Sequence, residues 1–267
     1  MRKQAAIIGM ILCLGGGLAI GWFIPALFPV APRVALIDTI QTRGTFIVGT
    51  SADYPPFEDY YTNNDTYYGF DIDIADLIAA EMGVTVVWVD MDFDSLVGAC
   101  TAGTIDMIAA AMTYNTDRAE KLAASNTYVT VAQAVIVKNS SVMTITSLDN
   151  LTLPANQLVG VQAGTVMQSD LEALGMLAGV NFTTYPRADA LMLALDGGAV
   201  EAAYVDEPIY EAFKTTYDIK IIFSTDPEPL ALWTRYSEPE LLYVMNKVIF
   251  EGYQDGTIQD LIIKWFG

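Results

Sequence analysis

Along the chain, short β-branched or aromatic runs alternate with stretches whose apolar residues recur every three to four positions. Thr45 to Val48 is a run of the first kind, closed by Gly49. Phe70, Ile74, Leu77, Ile78 and Met82 then recur at helical spacing, and Gly83 is placed to end that helix. Val84 to Val89 predicts a second strand, Ser95 to Ala102 a second helix, and Met107 to Ala110 a third strand. A βαβαβ order of this kind implies an α/β lobe, a mostly parallel sheet with helices on its faces. A second series starts near Val131. It has strands over Val159 to Val161, Ala202 to Val205 and Ile219 to Phe223. Its helices are one opened by Gly164-Thr165 and running through Leu174, one over Ala188 to Leu195 and one over Pro208 to Thr215.

The helical pattern from Glu238 to about Gln254, followed by Thr257 to Phe266, has no strand partner of its own and is expected to return to the first half. The first lobe is then discontinuous, residues 42–129 with 228–267, around a second lobe of 130–227. Two crossings are required, near Tyr128 to Val135 and near Glu228 to Thr234. Residues 32–41 read as a linker. Before them, residues 5–31 carry no charged side chain and follow Arg2 and Lys3. Pro25 and Pro29 leave about twenty residues for a helix, enough to cross a bilayer. Residues 1–31 are therefore expected to form a membrane anchor or signal segment, the cations holding the N-terminus in the cytoplasm and the rest of the chain lying outside.

Charge and composition remove several classes. A net charge of −19 leaves no basic surface for nucleic acid or for anionic lipid. The absence of histidine excludes a Ser-His-Asp triad, a Cys-His pair and a histidine zinc site. Cys100 reads as a small buried apolar residue. No cofactor or metal is expected, and no enzyme. Asp71 with Asp73, and Asp92 with Asp94, are the carboxylate pairs on offer for acid–base work, and both read as solvated.

What the chain does offer lies at strand ends, where ligands sit in open α/β sheets. Between Arg43 and Arg118 there is no lysine or arginine, while thirteen Asp and Glu fall in that interval. A lone arginine in so acidic a stretch is either an anchor for an anion, whose rigid fork fits a carboxylate, or a surface residue paired with Asp117 or Glu120. Tyr54 and Phe57 flank two prolines after the first strand, and Phe93 follows the second. Gln162-Ala163-Gly164-Thr165 brings backbone N–H groups to a helix start, either a carboxylate site or an ordinary cap. Asp206 is either a ligand contact or the cap of the helix that Pro208 begins.

Together these segments closely resemble the extracellular solute-binding proteins of amino-acid ABC transporters, the family-3 type. The matching pieces are Gly49-Thr50 with Tyr54-Pro55-Pro56-Phe57, Gly69 to Ala75, Asp92 to Leu96, Gly103 to Asp106, Met112-Thr113 with Asp117-Arg118-Ala119, Gly160 to Thr165, Asp206-Glu207-Pro208 and Lys264 to Gly267. The resemblance implies a two-lobed periplasmic-binding-protein-like fold with two crossing hinge strands, working as a monomer outside the cell. It implies a free amino acid between the lobes and an ABC permease as partner. Arg118, helped by Thr113, would grip the α-carboxylate, the backbone at Ala111 would accept from the ammonium, and Asp206 would neutralise it. Main-chain groups around Thr165 and Val166, next to Gln162, would bind the carboxylate from the second lobe, and Tyr54 and Phe93 would sandwich the side chain. Many relatives carry an aspartate where Ser51 stands, which weighs against a strongly cationic ligand. Ala111 replaces the familiar glycine before Met112, and Val166 a small polar residue. A dehydratase on the same scaffold would need a positioned acid or base, and a sensing ectodomain would need a partner to signal through.

Overall fold

The computed structural model of the chain describes residues 34–63, 65–151 and 157–267. The segment expected as anchor or signal lies outside these. Among the described residues no helix is long and apolar enough to cross a membrane. The stretch expected as a linker is largely a helix, α1 (Leu36–Arg43). Leu36, Ile37 and Ile40 share one of its faces and pack on the core, with Ile40 fully buried, so this segment belongs to the folded unit.

The first half contributes β1 (Thr45–Thr50), the hairpin β2 (Asp59–Tyr61) and β3 (Thr66–Tyr68), α2 (Phe70–Met82), β4 (Thr85–Asp90), α3 (Leu96–Ala102), β5 (Met107–Ile108), α4 (Thr116–Ala119) and β6 (Ala123–Ala124). The stripe Phe70, Ile74, Ile78 and Met82 buries one side of α2, and Gly83 ends it in the left-handed region at φ 71°. A crossing strand, β7 (Val129–Val131), leads to β8 (Gln133–Lys138), β9 (Val159–Gln162), α5 (Val166–Ala173), β10 (Phe182–Tyr185), α6 (Ala188–Gly197), β11 (Ala202–Asp206), α7 (Glu207–Phe213) and β12 (Ile219–Ser224). The chain returns through β13 (Glu228–Leu230) to β14 (Trp233–Thr234), α8 (Pro239–Asp255) and α9 (Thr257–Phe266). The hairpin and β10 were not anticipated. The period-2 pattern of Asp59-Tyr60-Tyr61 and Thr66-Tyr67-Tyr68 around a polar turn was the signal for the hairpin.

Two five-stranded sheets result, ordered β4-β1-β5-β14-β6 and β10-β9-β11-β8-β12. They are joined by β7 and β13, which pair with each other antiparallel (Val129↔Leu230). Each sheet is mostly parallel, as expected, with four of its five strands running one way and a single strand reversed. In the first, β1 runs parallel to β4 and β5, while β14 runs against β5 and β6. In the second, β9 is parallel to β10 and β11, while β8 runs against β11 and β12. The reason is directional. β5 and β11 end at the gap between the sheets, whereas β14 and β8 start there, straight from the crossing strands, and so must run away from it.

Both faces of each sheet are covered. In β8, Val135 and Val137 pack with Val159, Val161 and Tyr204, while Ala134 and Ile136 face Leu191 and Ala203. A strand buried on both sides reads as a continuous apolar run, which is the pattern of this segment. Cys100 is buried beside Leu96, Ile105 and Trp233 as a small apolar residue, and burial pushes its thiol up to about 12.

Candidate functional site

Four strand ends meet across the gap: those of β1 and β5 from the first sheet, and those of β9 and β11 from the second. Beyond β5 the chain turns at Ala111, whose φ of 45° lies in the left-handed region, and its N–H donates to Asp71 Oδ2 at 2.8 Å. Asn115 caps α4, accepting from the Arg118 N–H at 2.8 Å. This turns the Arg118 side chain inward, where it is 7% exposed. The guanidinium donates to the carbonyl of Thr113 at 2.6 Å and to that of Gly164 at 3.0 Å, and lies 5.4 Å from the Phe93 ring centre. Among the described residues Arg118 forms no ion pair with Asp117 or Glu120, so the surface reading fails. Burial pulls it down to about 10, against the raising field of Asp206.

Asp206 ends β11. It stands at the cap position of α7, but its side chain makes no capping bond. Instead Oδ2 accepts from the Tyr54 hydroxyl at 2.9 Å, and the same hydroxyl accepts from the Asp206 N–H at 3.1 Å. Oδ1 has no partner. Burial pushes Asp206 up to about 7. Thr165 does cap α5, accepting from the Gln168 N–H at 3.4 Å and donating to the Gln162 carbonyl at 2.8 Å. The cap reading of that loop holds, and the same threonine borders the gap.

All nine residues singled out from the sequence line one small cavity: Tyr54, Phe93, Ala111, Thr113 and Arg118 from the first half, and Gln162, Thr165, Val166 and Asp206 from the second. Ser51, Glu58, Ala110 and Met167 complete it. The free space is about 10 Å³, close to the minimum for one water. The halves are drawn together on their own side chains, which fill the gap between them. A wider groove of about 590 Å³ behind the hinge, bordered by Pro56, Thr130, Glu207 and Trp265, has no arginine in its wall.

Two acids depart from expectation. Asp71, read as solvated, is fully buried. It holds the Ala111 N–H and accepts from the Tyr128 hydroxyl at 2.8 Å, and burial pushes it up to about 7. Glu58 was not anticipated. It is 1% exposed, neither carboxylate oxygen has a partner, and its acidity is suppressed first by burial and then by Asp71, Asp53 and Asp206. Its only signal was an acid directly after the rigid Tyr54-Pro55-Pro56-Phe57 loop. Asp92 and Asp94 are exposed as expected.

The model of the bacterial extracellular solute-binding proteins, family 3, matches residues 46–267. The arginine-binding extracellular protein ArtP of Bacillus subtilis (strain 168) is 29% identical over 224 residues, covering 82% of this chain and 85% of that protein. The L-cystine-binding protein TcyJ of Escherichia coli (strain K12) is 28% identical over 237 residues, covering 87% and 86%. Among solved structures, AncCDT-1, an ancestral amino-acid-binding protein and precursor of cyclohexadienyl dehydratase, superposes with a TM-score of 0.80 at 31% identity, covering 87% of this chain and all of that one. An ancestral arginine-binding protein bound to arginine does so with 0.77 at 34%, covering 84% and 99%.

Proposed function

The chain belongs to the bacterial extracellular solute-binding proteins of family 3, and from that premise we propose that it captures a free amino acid outside the cell and presents it to an ABC transporter permease. The observation that carries this is the pair Arg118 and Asp206. They come from different sheets, both are buried, and they line one cavity without forming an ion pair with each other. A zwitterion satisfies both: its carboxylate replaces the carbonyls that Arg118 now contacts, and its ammonium takes Asp206. Because the two groups belong to different lobes, here taken as residues 36–129 with 228–267 and residues 130–227, the ligand has full affinity only for the closed form and shifts the population toward it. The N-terminal segment would tether a monomeric binder at the membrane.

The pocket chemistry favours a ligand whose side chain is itself cationic or a strong hydrogen-bond donor. Once Arg118 and Asp206 are matched by the two poles of the amino acid, Glu58 remains as a buried carboxylate with two free oxygens. A basic side chain would restore its ionised form. Glu58 thereby fills the role that Ser51 leaves open, and arginine is the ligand named for several similar proteins. The scaffold neighbour related to a dehydratase keeps an enzyme in view. Burial raises both Asp206 and Glu58, but Asp206 is already engaged by the Tyr54 hydroxyl and the Glu58 carboxylate has no polar partner. The placement of Arg118 and Asp206 across the gap therefore favours binding, the reading adopted.

Thermal shift with each of the twenty amino acids tests this. Ligand stabilises the fold by mass action, and the largest rise is expected with a basic amino acid. If no free amino acid moves the transition, the assignment falls. Glu58→Gln should lower affinity for a basic ligand by about 1.5–3 kcal/mol, the value of a hydrogen bond to a charged group, while leaving a neutral ligand nearly unchanged. Equal losses for both would remove Glu58 from side-chain recognition.

A further inference from the structure

Three sets of bonds cross from one sheet to the other. Two use groups that an amino acid would claim for itself, Arg118 with the Gly164 carbonyl and Tyr54 with Asp206. The third is centred on groups outside the cavity, although Ser51 and Gln162, which border the cavity, touch its edge. Asp53, in the loop after β1 and 3% exposed, accepts from the Ala188 N–H at the start of α6. It lies 3.8 Å from the Arg187 guanidinium and 3.4 Å from the Gln162 amide. The Ser51 hydroxyl, 2.6 Å away, holds its other oxygen. Arg187 reaches on to Asp90 at the end of β4, at 3.3 Å, and Asp90 is itself fixed by the Ala52 N–H at 2.9 Å. One arginine from the second half thus sits between two carboxylates of the first. A backbone N–H of the second half donates to one of those same acids.

None of Asp53, Arg187 and Asp90 lines the amino-acid cavity. We propose that this cluster is a ligand-independent latch, and that Asp53 and Arg187 are positioning residues setting how much of the protein is closed before any ligand arrives. The physical argument is one of separable equilibria. The apparent dissociation constant is the intrinsic one divided by the competent fraction. A bond made only in the closed form and never to the ligand therefore scales the affinity for every ligand by one common factor. Bonds made to the ligand change the ratios between ligands instead. Arg118 and Asp206 trade their cross-sheet bonds for the ligand's, so they cannot hold the halves together in both states; the Asp53 cluster can. It rests on the binding reading above only for its affinity arm.

The test combines a ligand-free measurement with a ligand series. Solution X-ray scattering of the ligand-free protein reports closure directly, and Arg187→Ala should raise the radius of gyration toward an open form. Titration with L-arginine and L-glutamine should show both affinities weakened by one factor, roughly fivefold for loss of a partly exposed ion pair, through faster dissociation. Arg187→Lys should restore part of the effect, which a purely local packing role would not predict. Asp90→Asn, which removes only the outer contact, should act in the same direction more weakly. An unchanged radius of gyration in Arg187→Ala overturns the latch, as do losses that differ between the two ligands. A lower melting temperature with unchanged scattering would make the cluster a local brace. Should neither amino acid bind the parent protein, the binding reading fails while the scattering comparison still decides the latch.

Discussion

Replacing Arg118 by methionine separates what the arginine does for ligand from what it does for the fold. In the ligand-free protein, burial takes the guanidinium from its ordinary 12.5 to about 10, a cost of about 3 kcal/mol for keeping it charged in place. Against this stand its bonds to the Thr113 and Gly164 carbonyls, each worth about 1.5–3 kcal/mol for a charged donor. The methionine loses both the cost and the bonds, and its thioether can still lie against Phe93. Stability should move by less than about 2 kcal/mol, a melting shift of only a few degrees for a chain of this size. Ligand binding has no such compensation. The α-carboxylate would be enclosed without its cation, at a loss of about 2–5 kcal/mol, or roughly 30- to 4,000-fold in dissociation constant. Titration calorimetry measures the binding loss and scanning calorimetry the fold. The α-carboxamide of the same ligand supplies a control, because it has no carboxylate to lose and should bind parent and variant alike. A variant that binds within threefold of the parent refutes the argument, and one that melts more than ten degrees lower makes Arg118 a structural anchor instead.

Ala111→Gly should raise the melting temperature by a few degrees, because relief of a left-handed alanine is worth about 1 kcal/mol; a lower transition would contradict the strained turn. In Gly164→Ala, a Cβ would stand 2.8 Å from the Asp94 Cβ across the gap at a φ of 77°. Affinity for every ligand should fall at least about tenfold, the price of a closure blocked by backbone contact, and calorimetry finding parent-like affinity would show that the halves do not need to approach there. Asp71 is raised to about 7 by burial, so the folded state binds its proton more tightly than the unfolded chain does. The stability this gives is complete below about pH 4 and is lost as pH rises through about 7. Melting temperature should fall between pH 5 and pH 8, and Asp71→Asn, which mimics the neutral acid, should flatten that slope; an unaltered slope assigns it to other groups.

How much of this was legible depends on whether a residue's environment is local. The α2 stripe from Phe70 to Met82 was readable because its own spacing declares a buried face. Arg118 stood out because a single cation in a long acidic interval is conspicuous whatever the fold, and the strand-end rule put Thr165 and Asp206 opposite it. Asp71 was misread because an acid in a helix's first turn is normally solvated, and only the approach of Ala111 and Tyr128, 40 and 57 residues away, buries it. Glu58 and Asp53 were invisible for the same reason. Their surroundings are supplied by the other sheet or by distant loops, and no periodicity reports that. The mostly parallel order of both sheets was legible, but the single reversed strand in each was not, because its direction is set by where the chain crosses the hinge, a property of the path rather than of β8 or β14 themselves.

The placement of β14 has a consequence for how the molecule is assembled. Its two residues wedge between β5 and β6, although they follow them by more than a hundred positions. The second sheet is complete once Ser224 exists, from one unbroken stretch beginning at Gln133, and can form while the rest is still being made. The half that comes first in the polypeptide is thus the one that finishes last, held with one inner rung, next to β6, missing until the C-terminal segment arrives. A chain cut just after Leu230 would carry an intact second half fused to an open, sticky sheet edge, and premature termination there should produce aggregation rather than a smaller working binder.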